Sequence, residues 1–368
     1  MGDRVLVVGC GGIGGILAAH LGAHGRDIVD QLVTVSRNPE IAEEVTRSGF
    51  RLRGSGGERT VPGRVESSIP EGDAFDWILL AMQPPQVEDA ALSVRPHLTP
   101  DGTVVCFQNG LCEDRVARIV GGDRVVGAVV SWGAAMPEPG VFERTAEGGF
   151  VVGPVGGDLD EERMHRLARL LAPVGDVEIA SDLSGHRWSK LAMNCAVSTL
   201  GTIGGRRLGP LLARRFVRRL ALEIMSEVVT VARAERVPLR KISGTFDLDW
   251  LALSREDRAQ VASPSLVAKH SLLLAVGARY RRMRSSMLRA IERGRPPAVD
   301  FLNGEVVDRA ARHGIAVPFN AAAHKLVHAI ATGEEVSGWD ALEGLARGLG
   351  VRVDWRDAPA APSVRPGL

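Results

Sequence analysis

The run RVLVVGCGGIGGILAAHL, residues 4–21, decides the fold. After Arg4, Val5 to Val8 are apolar without alternation, as in a strand buried on both faces. Gly9-x-Gly11-x-x-Gly14 follows at once, and the residues after it carry helical spacing. In a strand–turn–helix unit of this kind the first glycine bends the chain and the second lets a pyrophosphate approach the backbone. The third lets the helix close on the strand. Gly9, Cys10, Gly11, Gly12, Ile13 and Gly14 are the predicted cradle of a dinucleotide.

Outward from this unit, LVTV (32–35), DWILLAM (76–82) and GTVVCFQNG (102–110) are further strand candidates, with helical patterns over 39–49, from about 85, and after 110. Alternating strand and helix predict an α/β fold, an N-terminal Rossmann-type doubly wound sheet. GFRLRGSGGERTVPG (49–63) reads as a β-hairpin around its Gly-Ser-Gly-Gly. RVVGAVVSWGAAM, GVFERTA and GGFVVGPVG alternate and are expected to finish the sheet as antiparallel strands. Beyond about residue 180 the periodicity is helical throughout, which predicts an all-α C-terminal domain. The expected organisation is a nucleotide domain over 1–180 and a helical substrate domain over 181–350. The latter carries an extended 238–280 segment with Phe246 and Trp250, and a Pro/Ala-rich flexible tail fills 351–368.

Bulk composition narrows the function. With 368 residues, 45% apolar, and a net charge of +1, no field points to nucleic acid or to a membrane surface. Cys10, Cys106, Cys112 and Cys195 form no CxxC pair and read as buried, reduced thiols of a cytoplasmic protein. MGDRVLVVGCGG has neither a basic lead nor a long apolar run, so no signal peptide or membrane span is expected. The nine histidines offer no HxxxH with acidic neighbours in sequence. His324 and His328 are four apart on one helix and read as facing solvent or core, so no metal is predicted.

The end of the second strand sets the cofactor type. A carboxylate there would hold a ribose 2′-hydroxyl. Ser36, Arg37 and Asn38 stand there instead; Arg37 can pair with a 2′-phosphate and its neighbours can hydrogen-bond to it. Asp30 is the competing acid but precedes the strand. NADP(H) is the expected cofactor. Asn109, in FQNG at the end of a later strand, offers an amide to cofactor or substrate.

SKLAMNCAVSTL, residues 189–200, carries Lys190, Asn194 and Ser198 along one line of an apolar helix. An isolated buried charge there would cost several kcal/mol, so the line points to a ligand. Only four of the 45 basic residues are lysine. Codon bias accounts for the general excess of arginine, but a retained lysine can release a proton where arginine cannot.

The order GxGxxG, QNG after a mid-domain strand, WSKLAMN on the first helix of an α domain, then RSSML…GRPPAVDFLNGEVV…HGIAVPFN resembles the ketopantoate reductase family across nearly the whole chain. That resemblance implies NADPH-dependent reduction of a 2-oxo acid, as in pantothenate biosynthesis, with the site between two domains. It makes Lys190 the proton donor. It also assigns Asn194 to orient substrate, Asn109 to the nicotinamide end and Ser286 to the substrate carboxylate. A homodimer is compatible with such folds. Three positions depart from the family pattern. Ala298 replaces a glutamate that binds the substrate hydroxyl, with Asp300 two residues on as a replacement acid on a different face. Ser198 stands for a second asparagine, and Gln83 for a cofactor-contacting lysine. The carbonyl-reducing machinery is thus expected in an altered pocket. A cofactor-binding sensor or regulatory protein without turnover is the alternative that the missing glutamate favours.

Overall fold

The computed structural model describes residues 2–25, 27–54, 57–154, 160–241, 247–259 and 263–353. The hairpin tip at 55–56, Phe246 and the tail beyond 353 lie outside the described residues. The chain divides into two compact units, Met1–Arg187 and Trp188–Leu368.

In the first unit β1 (Asp3–Val8), β2 (Val29–Val35), β5 (Phe75–Leu80), β6 (Leu98–Cys106) and β7 (Val125–Val130) form the parallel part of a seven-stranded sheet. The order is β11-β10-β7-β6-β5-β1-β2, closed by β10 (Phe150–Pro154) and β11 (Val177–Ile179). Val5 pairs with Leu32 on one side and Trp77 on the other, and Ile78 with Val104. Val5, Leu6, Val7, Ile78, Leu79, Val104 and Val105 are almost fully buried, as strands covered on both faces require. The helices α1 (Gly12–His24), α2 (Pro39–Ser48), α3 (Val87–Val94), α4 (Glu113–Val120) and α5 (Glu161–Leu171) connect or cover these strands. From β1 the chain moves outward to β2, while β5 lies on its other side. The sheet therefore reverses direction between β1 and β5, where ligands of such sheets bind.

The expected run of antiparallel strands is corrected. β7 joins the main sheet parallel to β6, and only β10 pairs antiparallel, with β7. β8 (Gly133–Ala135) and β9 (Val141–Ala146) leave for a second sheet of order β4-β3-β9-β8, with β3 (Phe50–Gly54) and β4 (Gly57–Val61). The hairpin of β3 and β4 does form, and β9 runs parallel to β3. Helix α1 explains the split, since it packs against β1 and β2 on one side and β3, β8 and β9 on the other. Phe142 of β9 sits against Gly15, where a Cβ would fall 2.1 Å from the ring. An apolar helix covered on both sides attracts a second layer.

The second unit is helical: α6 (Ser184–Gly204), which begins in the first unit, α7 (Leu208–Ala213), α8 (Arg215–Ala234), α9 (Leu248–Leu251), α10 (Arg255–Ala259), α11 (Pro264–Arg279), α12 (Ser286–Glu292), α13 (Asn303–Arg312), α14 (Pro318–Thr332) and α15 (Trp339–Gly348). A buried polar network ties four of them together. Asn303 donates to the Cys195 carbonyl at 3.2 Å and to Asn320 Oδ1 at 2.9 Å, and accepts from Thr199 at 2.6 Å. Asn320 Nδ2 donates to Glu227, 2.8 Å away. Such a network is stabilising only when its members are satisfied. In the 238–280 segment, buried Lys269 meets Asp257 at 2.6 Å and the Ala252 carbonyl at 2.8 Å. This lysine serves packing.

Buried His270 accepts from Arg218 at 3.4 Å. Burial, reinforced by Arg218, Arg215 and Arg219, lowers its pKa from 6.5 to about 4. The unfolded chain takes up this proton near pH 6.5 and the folded chain only near 4. The contribution to stability is therefore complete above 6.5 and is lost as pH falls through that window. Thermal unfolding of His270→Gln should lose a pH-dependent component on the order of 2 kcal/mol across it; an unchanged slope would contradict this.

Candidate functional site

The first unit gathers one group of expected site residues at the carboxyl ends of β1, β2, β5 and β6. Gly9 has φ +95, open to glycine and strained for other residues, and a Cβ on it would lie 2.7 Å from Met82 N beyond β5. A Cβ on Gly14 would fall 1.9 Å from the Gly9 carbonyl, whereas one on Gly11 would meet nothing within 4 Å. Helix α1 starts with no side-chain cap and no acid in its first turn, leaving its leading N–H groups for an external acceptor. Open space over Gly11 before an uncapped helix start fits a dinucleotide pyrophosphate. Cys10 is 1% exposed and burial pushes its thiol up to about 12, so it can serve a ligand only through its backbone. Gly12 and Ile13 are half-buried in the first turn.

At the end of β2, Arg37 is exposed and, among the described residues, makes no hydrogen bond or ion pair. Its neighbours accept hydrogen bonds within the turn. Buried Ser36 accepts from Asn38 N at 3.2 Å, and Asn38 caps α2 through Glu40 N at 3.0 Å. These bonds use only acceptor oxygens, so the Ser36 hydroxyl proton and the Asn38 amide N–H groups, the donors a phosphate takes, are not spent in shaping the turn. Gln83 is exposed just before the 3-10 turn Pro84–Gln86, and Asn109 is exposed just after β6.

Gln108, not anticipated, fastens these two loops. It is 6% exposed, and its Nε2 donates to the Leu80 carbonyl at 2.8 Å and the Met82 carbonyl at 3.3 Å. The only sequence signal for it was an amide at the end of a buried strand.

The second unit holds the other group. On α6, Trp188, Leu191, Ala192, Cys195, Ala196 and Leu200 are buried, while Lys190, Asn194 and Ser198 are half-buried in one line. Met193 and Val197, expected in the core, are half-buried beside them and widen that face. Asn194 Nδ2 is buried yet has no hydrogen-bond partner among the described residues. An unmet buried donor costs about 1–3 kcal/mol, so this amide would gain from an acceptor that the described residues do not provide. Ser286 is exposed at the first turn of α12. The preceding Ser285 donates to the Ser198 carbonyl at 2.9 Å, holding α12 against the line on α6. Ala298 is half-buried and opens the 3-10 turn Ala298–Phe301. Asp300 turns to α14 instead, where its Oδ1 meets His324 and His328 at 2.6 and 2.7 Å. The histidines lacked acidic neighbours in sequence; the fold supplies one from another element.

Comparison with known proteins gives a consistent result. Residues 5–157 match the ketopantoate reductase PanE/ApbA family, and residues 182–331 match the ketopantoate reductase PanE/ApbA C-terminal family. The chain is 26% identical over 321 residues to the uncharacterized oxidoreductase YkpB of Bacillus subtilis, covering 86% of this chain and 94% of that protein. It is 24% identical over 320 residues to the 2-dehydropantoate 2-reductase of Pyrococcus horikoshii, with the same coverage. A solved PanE/ApbA family ketopantoate reductase from Ralstonia eutropha superposes with a TM-score of 0.72 at 25% identity, covering 90% of this chain and 99% of that one. No helix among the described residues is long and apolar enough to cross a membrane.

Proposed function

Since the chain belongs to the ketopantoate reductase family of oxidoreductases, we propose that it is an NADPH-dependent reductase of a 2-oxo acid, with Lys190 as proton donor. The observation that carries this reading is the line on α6, an ammonium next to an amide whose donor finds no partner among the described residues. When bound, the dinucleotide supplies the hydride. Gly9 to Gly14 and the start of α1 hold its phosphates, with Gln83 and Asn109 on the adjoining loops. Exposed Arg37 meets the 2′-phosphate and accounts for NADPH in preference to NADH.

Lys190 Nζ holds a proton for an oxygen that gains negative charge, first stabilising that charge and then neutralising it. Asn194 Nδ2 orients the substrate, and Ser198 and Ser286 contribute hydroxyls at the far end of the line. Ala298 offers no acceptor for a substrate hydroxyl. A pocket with that acceptor rejects analogues lacking the hydroxyl by roughly 10⁴–10⁵-fold, and without it the discrimination should shrink. A substrate other than ketopantoate is therefore the better fit.

Steady-state oxidation of NADPH and of NADH across a panel of 2-oxo acids with and without a distal hydroxyl tests this reading. Turnover with NADPH is expected; none with any acid would leave a non-catalytic binding protein. Asn194→Leu should lower kcat/KM at least about tenfold while leaving Tm unchanged or raised, because it removes an unmet donor. A stability loss with kcat/KM intact would show that the amide serves the fold alone.

A further inference from the structure

The cluster of Asp300, His324 and His328 has no part in the proposed reaction. His324 and His328 lie one turn apart on α14, their rings T-shaped with centroids 4.8 Å apart. Both Nε2 atoms point at one oxygen, Asp300 Oδ1, at 2.6 and 2.7 Å. The three potential ligand atoms lie within 4.8 Å of one another. Their side chains are 29%, 42% and 53% exposed for His324, His328 and Asp300, so an ion can reach them.

We propose that these three side chains bind a divalent transition-metal ion of the zinc type. Two imidazole nitrogens and one carboxylate oxygen suit zinc, cobalt, nickel or copper, whereas calcium and magnesium prefer all-oxygen shells. With metal–ligand bonds of about 2.0–2.2 Å, neighbouring ligands of a tetrahedral ion sit roughly 3.3 Å apart. The two nitrogen–oxygen separations need open by only about 0.6 Å, within reach of partly exposed side chains turning about χ1 and χ2. The fourth position is left to water.

Two further features support the site. A Cβ on Gly304 would lie 3.0 Å from His324 Nε2, so the glycine keeps free the space into which the imidazole reaches. The backbones carrying the ligands are joined from within, since Asn303 of α13 hydrogen-bonds Asn320 of α14 at 2.9 Å in the core. Asn303 follows Asp300 by three residues and Asn320 precedes His324 by four. The ligand-bearing segments are thus preorganised by a buried bond independent of any ion. A bound ion would pin the turn that carries Ala298 to α14.

The test uses untagged full-length protein stripped with chelator. Titration with Co²⁺ should produce visible d–d absorption that saturates at one equivalent, and Zn²⁺ should abolish it by competition and raise Tm. Asp300→Asn and His328→Asn should each weaken Zn²⁺ binding by roughly 10–100-fold or more while metal-free Tm stays close to that of the parent. Should either variant unfold, His324→Gln, with a side chain of similar reach, takes its place. Absence of a saturating cobalt band, or affinity untouched by the substitutions, overturns the proposal. None of these readouts depends on reductase turnover, so the site stands or falls apart from the proposed activity.

Discussion

Lys190→Arg is expected to be almost as inactive as Lys190→Ala, with kcat reduced on the order of 10²–10⁴-fold in both. The arginine variant keeps the positive charge and several N–H donors, so it retains electrostatic attraction to a carbonyl oxygen. It cannot release its proton to an alkoxide, because a guanidinium stays charged in proteins. If charge stabilisation alone sufficed, arginine would recover most of the rate. The measurement is kcat with NADPH and the best 2-oxo acid, together with an attempt to restore Lys190→Ala by adding a small primary amine. Restoration by the amine, with Lys190→Arg inert, fits a proton donor. An arginine variant within a few-fold of the parent removes that role. Lys190 is half-buried, so neither change should unfold the second unit, and Tm provides the control.

The second large effect concerns Gly14 and Gly11, which the same motif contains but the structure separates. Alanine at Gly14 would place a Cβ 1.9 Å from the Gly9 carbonyl and 3.1 Å from Ala81 Cβ. The nearest obstacle is backbone and cannot swing aside, so the turn and the helix must part. A loss on the order of 3 kcal/mol is expected in ligand-free Gly14→Ala. Gly11→Ala meets nothing within 4 Å, and its φ of −88 is ordinary for any residue. Its Tm should hold, yet its methyl would occupy the opening over the helix start, so NADPH should bind at least about tenfold more weakly. Thermal unfolding without ligand and NADPH titration by fluorescence check both. Equal Tm losses in the two variants, or undiminished affinity in Gly11→Ala, would contradict the assignment of the cradle.

Much of the fold was legible because its strands are continuous apolar runs and its opening turn has a strict spacing. RVLVV and DWILL state burial on both faces, and GxGxxG has few other uses when it joins a strand to a helix. The second sheet was not legible. GVFERTA alternates like any half-buried strand, and nothing local tells it to pair with Phe50–Gly54 far upstream rather than with the main sheet. That choice was made by Phe142 and by Gly15, which leaves room for its ring. Of the candidate site, the half-buried line on α6 was legible from helical spacing and the exposure of Arg37 from its place at a strand end. The rest was hidden where side chains hydrogen-bond within the chain. Ser36 and Asn38 accept hydrogen bonds that shape the turn after β2, a role their residue types alone did not announce. The commitment of Asp300 to His324 and His328 depends on how α14 packs beside the turn at 298–301.

Gln108 gives the loops after β5 and β6 a shared fate. Stitched by one amide to Leu80 and Met82, Gln83 and Asn109 stand on ground that does not shift independently. A guest settling across both loops finds them already in step, so little conformational freedom is surrendered at the moment of capture. Any loosening of that stitch would be felt first as a faster departure of the guest, well before the sheet beneath it weakened.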